Sequence, residues 1–95
     1  MKLLLAIVRD DSAADVIAAL NEEGLSVTRV STTGGFWRRG NVTLLIGLDE
    51  TEVERGLEII NAHAGPEVEP KSAPDSHRPH RATIFVLDVD AMARY

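Results

Sequence analysis

The first third of the chain combines a continuous apolar run with a helical repeat. Residues 2–8 are apolar at every position except Lys2, a pattern typical of a strand buried on both faces. Four apolar residues then recur at the spacing of an amphipathic helix: Ala13, Val16, Ile17 and Leu20. Asp10 or Asp11 is expected to cap this helix, because a carboxylate there accepts a free N–H. Gly24 is expected to end it in a left-handed conformation.

Alternating positions predict two strands in the middle of the chain. In the second strand, residues 25–31, Leu25 and Val27 lie on one face and Thr28 on the other. The third strand spans residues 42–48, and its apolar face consists of Val42, Leu44, Ile46 and Leu48. Its opposite face consists of Thr43, Leu45 and Gly47.

The last part of the chain predicts a second helix, a loop and a fourth strand. Thr51 and Glu54 match a capping box at the start of the helix, whose apolar stripe is Val53, Leu57, Ile60 and Ala64. Residues 65–81 hold all four prolines, which predicts a flexible loop within a domain. Residues 82–89 form the last strand. The whole chain, residues 1–95, is therefore expected to be a single domain.

The predicted order βαββαβ corresponds to the ferredoxin-like α+β plan, with a four-stranded antiparallel sheet. Right-handed crossovers place both helices on one face of that sheet. The other face is then uncovered, although three strands carry apolar residues on both faces, as in Leu3 and Leu4, or Leu44 and Leu45. Exposing such a patch is unfavourable, so we expect copies of the chain to associate through it.

Charge and composition exclude several classes of function. The formal net charge of −5 argues against nonspecific nucleic-acid binding, which needs a basic surface. The absence of cysteine excludes disulfides, thiol nucleophiles and zinc–thiolate sites. The apolar run at residues 2–8 is too short to span a membrane and lacks a signal-peptide cleavage pattern. We therefore expect a cytoplasmic protein that binds neither a membrane nor nucleic acid.

The segment of residues 32–41 concentrates candidate binding chemistry. It reads Thr-Thr-Gly-Gly-Phe-Trp-Arg-Arg-Gly-Asn. Consecutive glycines such as Gly35 can turn N–H groups towards an anion, and Arg38 offers a planar fork for phosphate. The rings of Phe36 and Trp37 offer stacking faces for a base. Together these residues predict a nucleotide pocket.

The chain resembles the PII-like cyclic di-AMP receptor proteins. Residues 2–10, residues 82–90 and the Thr-Thr-Gly-Gly-Phe motif of residues 32–36 placed before Gly40-Asn41 carry the resemblance. It covers nearly the whole chain outside residues 65–81. The resemblance implies a homotrimer that binds its ligand in clefts between subunits, signals by loop rearrangement, and performs no catalysis.

The resemblance also implies the ligand contacts. Thr28 on the second strand would lie near an adenine, Gly47 would allow close approach of the ligand to the third strand, and Phe85 on the last strand would line the base pocket. Asn41, at the end of the segment of residues 32–41, would bond an adenine edge. In the loop, Gly35 and Phe36 would approach the ligand, and Trp37 stands where the family usually has an aliphatic residue.

Other ligands and functions stay open at this point. Gly24 and Ser26 stand where the family often has an asparagine and an arginine that hold the ligand, so a sensor of ATP or AMP is an alternative. A trimeric interaction module with a degenerate pocket is another, with an unknown downstream protein as its partner. No enzyme is expected, because the strands carry no nucleophile–base pair. No cofactor or metal is expected, since the spaced Asp75, His77 and His80 have no further ligand nearby.

Overall fold

The structure is a computed structural model that describes residues 1–30, 40–65 and 81–95. Its elements, in order, are β1 (Lys2–Arg9), α1 (Asp10–Glu22), β2 (Val27–Val30), β3 (Asn41–Leu48), a 3-10 turn (Glu50–Glu52), α2 (Val53–His63) and β4 (Ala82–Asp88). The predicted order βαββαβ is confirmed. Most of the predicted flexible loop, residues 66–80, lies outside the described residues.

The four strands form one antiparallel sheet in the order β2-β3-β1-β4. β1 is central, because β3 pairs along all of it on one side and β4 pairs along most of it on the other. β2 and β4 are the two edge strands. This arrangement confirms the α+β, ferredoxin-like fold predicted from the sequence, with the topology expected of PII-like proteins.

The core lies between the sheet and the two helices. Alternate residues of β1 and β3 point into it and are almost completely buried: Leu4, Ala6, Val8, Leu44, Ile46 and Leu48. They pack against the buried residues of the helices: Ala13, Val16, Leu20, Ile59 and Ile60. Burial of a leucine or isoleucine side chain contributes about 1.5–3 kcal/mol, so this layer is the main source of stability in each copy of the chain.

The start of α1 differs from its prediction. The helix begins at Asp10, and its capping position is Arg9, which makes no side-chain capping bond. Asp10 and Asp11 lie in the first turn instead, where Asp11 accepts a bond of 2.7 Å from Arg9 and Asp10 one of 3.1 Å from Arg29. The two carboxylates face arginines, and a negative charge in the first turn also stabilises the helix dipole.

The capping box before α2 also differs from its prediction, because it lies two residues earlier in the chain. Glu52 accepts a hydrogen bond of 3.1 Å from the Asp49 backbone N–H through its carboxylate. Its own N–H donates to the Asp49 carbonyl at 2.9 Å. The reciprocal bonds therefore join Asp49 and Glu52, rather than Thr51 and Glu54, because the chain leaves β3 through a 3-10 turn before α2 begins.

An ion pair joins the ends of β1 and β4. Lys2 donates to Asp88, the residue directly opposite it across the ladder. This bond raises the pKa of Lys2 above 10.5 and lowers the pKa of Asp88 below 3.8. The pair therefore contributes stability above the pKa of an ordinary aspartate and below that of an ordinary lysine.

Replacing Asp88 with asparagine should lower stability at neutral pH. The difference from the wild type should fade as the pH falls through the lowered pKa of Asp88, and again as it rises through the raised pKa of Lys2. Urea titrations at pH 3, 7 and 11 measure this difference in the free energy of unfolding. Asp90→Asn is the matched control, because it also removes one carboxylate. A difference that is as large at pH 3 as at pH 7 would show that the ion pair is not its source.

Candidate functional site

The structure places four of the eight predicted ligand contacts on one face of the sheet. Thr28, Asn41, Gly47 and Phe85 occupy positions whose side chains point away from the helices, as the strand registers show. We call this the open face. The other four predicted contacts lie outside the described residues: Gly35, Phe36, Trp37 and Arg38.

One row of residues crosses the open face and joins two of the predicted contacts. Thr28 on β2 lies opposite Leu45 on β3, and Leu45 lies opposite Leu5 on β1, which in turn lies opposite Phe85 on β4. Adjacent strands are about 4.8 Å apart, so Thr28 and Phe85 are separated by roughly 14 Å. They lie at the two edges of the sheet, and a single copy of the chain does not bring them together.

The open face is apolar near its centre. Leu3, Leu5 and Ile7 of β1 are only half-buried, and Phe85 and Leu87 of β4 are 51% and 43% exposed. A monomer rarely exposes a contiguous patch of this kind. The expectation that strands carry apolar residues on both sides of the sheet is therefore confirmed.

Gly47 contributes no side chain of its own at one end of the open face. The residue is exposed, and a β-carbon built on it would lie 3.3 Å from the terminal methyl of Met1. The end of a methionine side chain moves easily. The backbone of β3 is therefore accessible at this position, as the close approach of a ligand requires.

Asn41 lies at the opposite end of β3, across the ladder from an arginine that the sequence analysis did not select. Asn41 is exposed and lies directly opposite Arg9 of β1. Arg9 is bound to Asp11 and Arg29 to Asp10. The sequence could have indicated Arg9 through its position in β1, because alternate residues place it on the same face as Leu3, Leu5 and Ile7.

Thr43 is a buried polar residue on the open face that the sequence analysis did not select. It is only 6% exposed, and its Oγ1 has no hydrogen-bond partner in the part of the chain that the structure describes. Its cross-strand neighbours, Val30 and Ile7, are apolar. The sequence could have indicated Thr43 through its hydroxyl, which stands at a strand position between Asn41 and Leu45.

A separate cavity lies on the helix side of the sheet. It has a volume of about 280 Å³ and is lined by Ile60, Asn61, Ala64, Arg81, Ala82 and Ile84. Arg81 donates to the backbone carbonyls of Asn61 and Gly65, at 3.3 and 3.2 Å. A guanidinium at the end of a helix stabilises the free carbonyls there, so Arg81 has a structural role and the cavity is not part of the predicted site.

Neither a metal-binding cluster nor a membrane-spanning helix occurs in the part of the chain that the structure describes. Across residues 1–30, 40–65 and 81–95, no three His, Cys, Asp or Glu side chains come together as a metal site. In those same ranges no helix has the length and apolar character needed to cross a membrane. Asp75, His77 and His80 lie outside the described residues.

Comparison with known proteins agrees with the fold. A solved structure of a functionally unknown protein from Pediococcus pentosaceus ATCC 25745 is 34% identical to this chain, with a TM-score of 0.74. The match covers 99% of this chain and 96% of that one. Residues 1–69 match the family described as cyclic-di-AMP receptor. This stretch includes Thr28, Asn41 and Gly47, three of the four predicted contacts on the open face, and the match shows that the chain belongs to the cyclic-di-AMP receptor family.

Proposed function

We propose that the protein is a sensor that binds cyclic di-AMP in clefts between the subunits of a homotrimer. The observation that carries this proposal is the placement of Thr28 and Phe85. They lie on one face, yet at opposite edges of the sheet, roughly 14 Å apart. An edge of one subunit placed against the opposite edge of another would bring the two together around a ligand.

The apolar open face supports the same assembly. Covering Leu5, Leu45 and Phe85 with other copies of the chain would remove apolar surface from water at about 25 cal/mol per Å². Three copies meeting through this face would place the β2 edge of each beside the β4 edge of the next. Each trimer would then have three equivalent clefts.

The chemistry of the site is that of a binding protein and not of an enzyme. The open-face contacts supply a hydroxyl from Thr28, an amide from Asn41, a bare backbone at Gly47 and an aromatic ring from Phe85. These groups recognise a base and its edges, but they include no nucleophile with an adjacent base. Binding is therefore expected to rearrange the segment of residues 32–41 without altering the ligand chemically, in a cytoplasmic signalling protein of one domain.

A sensor of ATP or AMP is the second candidate, and Gly24 and Ser26 favour it. Gly24 has a φ of +81°, and nothing lies within 4 Å of the position of a β-carbon there. Ser26 is exposed and short. Neither residue can provide the long polar contact that an asparagine or arginine would supply, so a smaller adenine nucleotide is compatible with this edge of β2.

Thermal unfolding with cyclic di-AMP, ATP and AMP, each at the same concentration, tests the proposal. A ligand that binds only the folded protein raises the melting temperature by mass action. We expect the largest increase with cyclic di-AMP, together with a change in the fluorescence of Trp37, the only tryptophan. An increase with ATP alone would favour the second candidate. No response to any nucleotide would favour the interaction module.

Replacing Phe36 with alanine should weaken cyclic di-AMP binding by roughly 1–3 kcal/mol, the value of one base–aromatic contact. The ligand-free melting temperature should stay near that of the wild type if the ring serves the ligand. Calorimetry and thermal unfolding of the same samples measure both. A variant that loses stability without ligand but keeps its affinity would place Phe36 in the interface between subunits instead.

A further inference from the structure

We propose that Thr43 is a further ligand-contacting residue, whose hydroxyl bonds the bound nucleotide between Thr28 and Asn41. The inference rests on the proposed function, since it adds a contact to the same nucleotide site. The observation behind it is the unpartnered Oγ1 of a residue that is only 6% exposed. In the described part of the chain, this is the buried side-chain oxygen or nitrogen that lacks a hydrogen bond.

A buried hydroxyl without a partner is unfavourable by about 1–3 kcal/mol. Valine has nearly the same shape as threonine and would fill this position without that penalty. The direct neighbours of Thr43 across the ladder are Val30 and Ile7, which have no polar side-chain atoms. Nothing in the packing of this row therefore requires a hydroxyl, and the hydroxyl needs a partner from outside the row.

The position of Thr43 relative to the predicted contacts indicates what that partner is. Thr28 lies diagonally across the β2–β3 pair, at about 7–8 Å. Asn41 lies two residues along β3 on the same face, at roughly 7 Å. Thr43 is thus midway between the two residues that the family resemblance assigns to adenine. A ligand that contacts both of them on one subunit would pass over Thr43.

The chemistry of the hydroxyl fits this place. A threonine hydroxyl both donates and accepts hydrogen bonds, so it can pair with either a ring nitrogen or the amino group of an adenine edge. A side-chain amide at Asn41 and hydroxyls at Thr28 and Thr43 would then line one strip of the open face. Such a strip discriminates against ligands that leave a buried polar group unpaired.

The test compares Thr43→Val with Thr43→Ser, using whichever of cyclic di-AMP, ATP and AMP binds the wild type. Thr43→Val removes the hydroxyl and keeps the shape, and we expect roughly a tenfold loss of affinity. Thr43→Ser keeps the hydroxyl and should bind within about threefold of the wild type. Thr51→Val removes an exposed hydroxyl on the 3-10 turn that follows β3 and should bind as the wild type does.

Stability without ligand separates the role in binding from a purely structural one. The melting temperature and mass of ligand-free Thr43→Val should equal or exceed those of the wild type, because the hydroxyl has no partner to lose. A Thr43→Val protein that binds as tightly as the wild type would overturn the inference and leave the proposed function intact. A ligand-free variant that melts early or dissociates would also overturn it, by assigning the hydroxyl to subunit contacts. Wild-type protein that binds none of the three nucleotides would overturn both.

Discussion

Replacing Leu45 with glutamate should dissociate the proposed trimer at micromolar concentrations, at which we expect the wild type to be assembled. Leu45 lies in the row between Thr28 and Leu5, in the interior of the open face. In the proposed trimer its side chain is covered by other copies of the chain. A carboxylate buried there without a partner costs several kcal/mol in each subunit, and all three subunits of a trimer would carry that cost.

Light scattering measures the mass directly, since one chain has a mass of 10.3 kDa. Ala18→Glu adds the same charge at an exposed position of α1 and should remain a trimer. Circular dichroism shows whether dissociated Leu45→Glu chains stay folded. A wild type with the mass of one chain would contradict the assembly, and a Leu45→Glu protein that remains trimeric would show that another surface forms the contact.

The fold could be predicted from the sequence because its signals are local and agree with each other. The continuous apolar run of residues 2–8 identified the central strand, and the alternation of residues 42–48 identified β3 with the correct faces. The cap at Gly24 was also correct, with a φ of +81°. In each case a single physical requirement, burial or a left-handed backbone, leaves few alternatives.

The helix starts could not be predicted as well, because several side chains compete for the same role. Asp10 and Asp11 both suit a cap, yet in the structure both face arginines, and one of these, Arg29, is distant along the chain. Asp49 and Thr51 both suit the capping position before α2. Asp49 occupies it, because a 3-10 turn precedes the helix. These outcomes depend on contacts between elements, which a local pattern does not contain.

The candidate site was predictable only in part, for a related reason. The sequence placed Thr28 and Gly47 on the correct strands, but the separation of Thr28 from Phe85 follows from the order of strands in the sheet. The unpartnered hydroxyl of Thr43 depends on which residues lie beside it, Val30 and Ile7, and these come from two other strands. Sites of this kind become visible once the registers are known.

Replacing Leu44 with alanine should lower the free energy of unfolding by about 2–5 kcal/mol, the range for removing a buried leucine. Leu44 is next to Leu45 in the chain but points to the other face of β3, where it is 0% exposed. It lies opposite Ala6 of β1 in the core beneath the helices. Truncation there leaves a cavity that the surrounding strands and helices can close only partly.

Urea unfolding followed by circular dichroism measures this loss at a fixed protein concentration. Leu57→Ala is the matched control, because Leu57 is only partly buried on α2 and alanine is the best helix former. It should lose clearly less than Leu44→Ala. Equal losses would mean that burial on the helix side does not determine stability. Leu45→Glu would then disrupt the assembly, and Leu44→Ala would destabilise each subunit. These two adjacent residues would distinguish the contact between copies from the core within one copy.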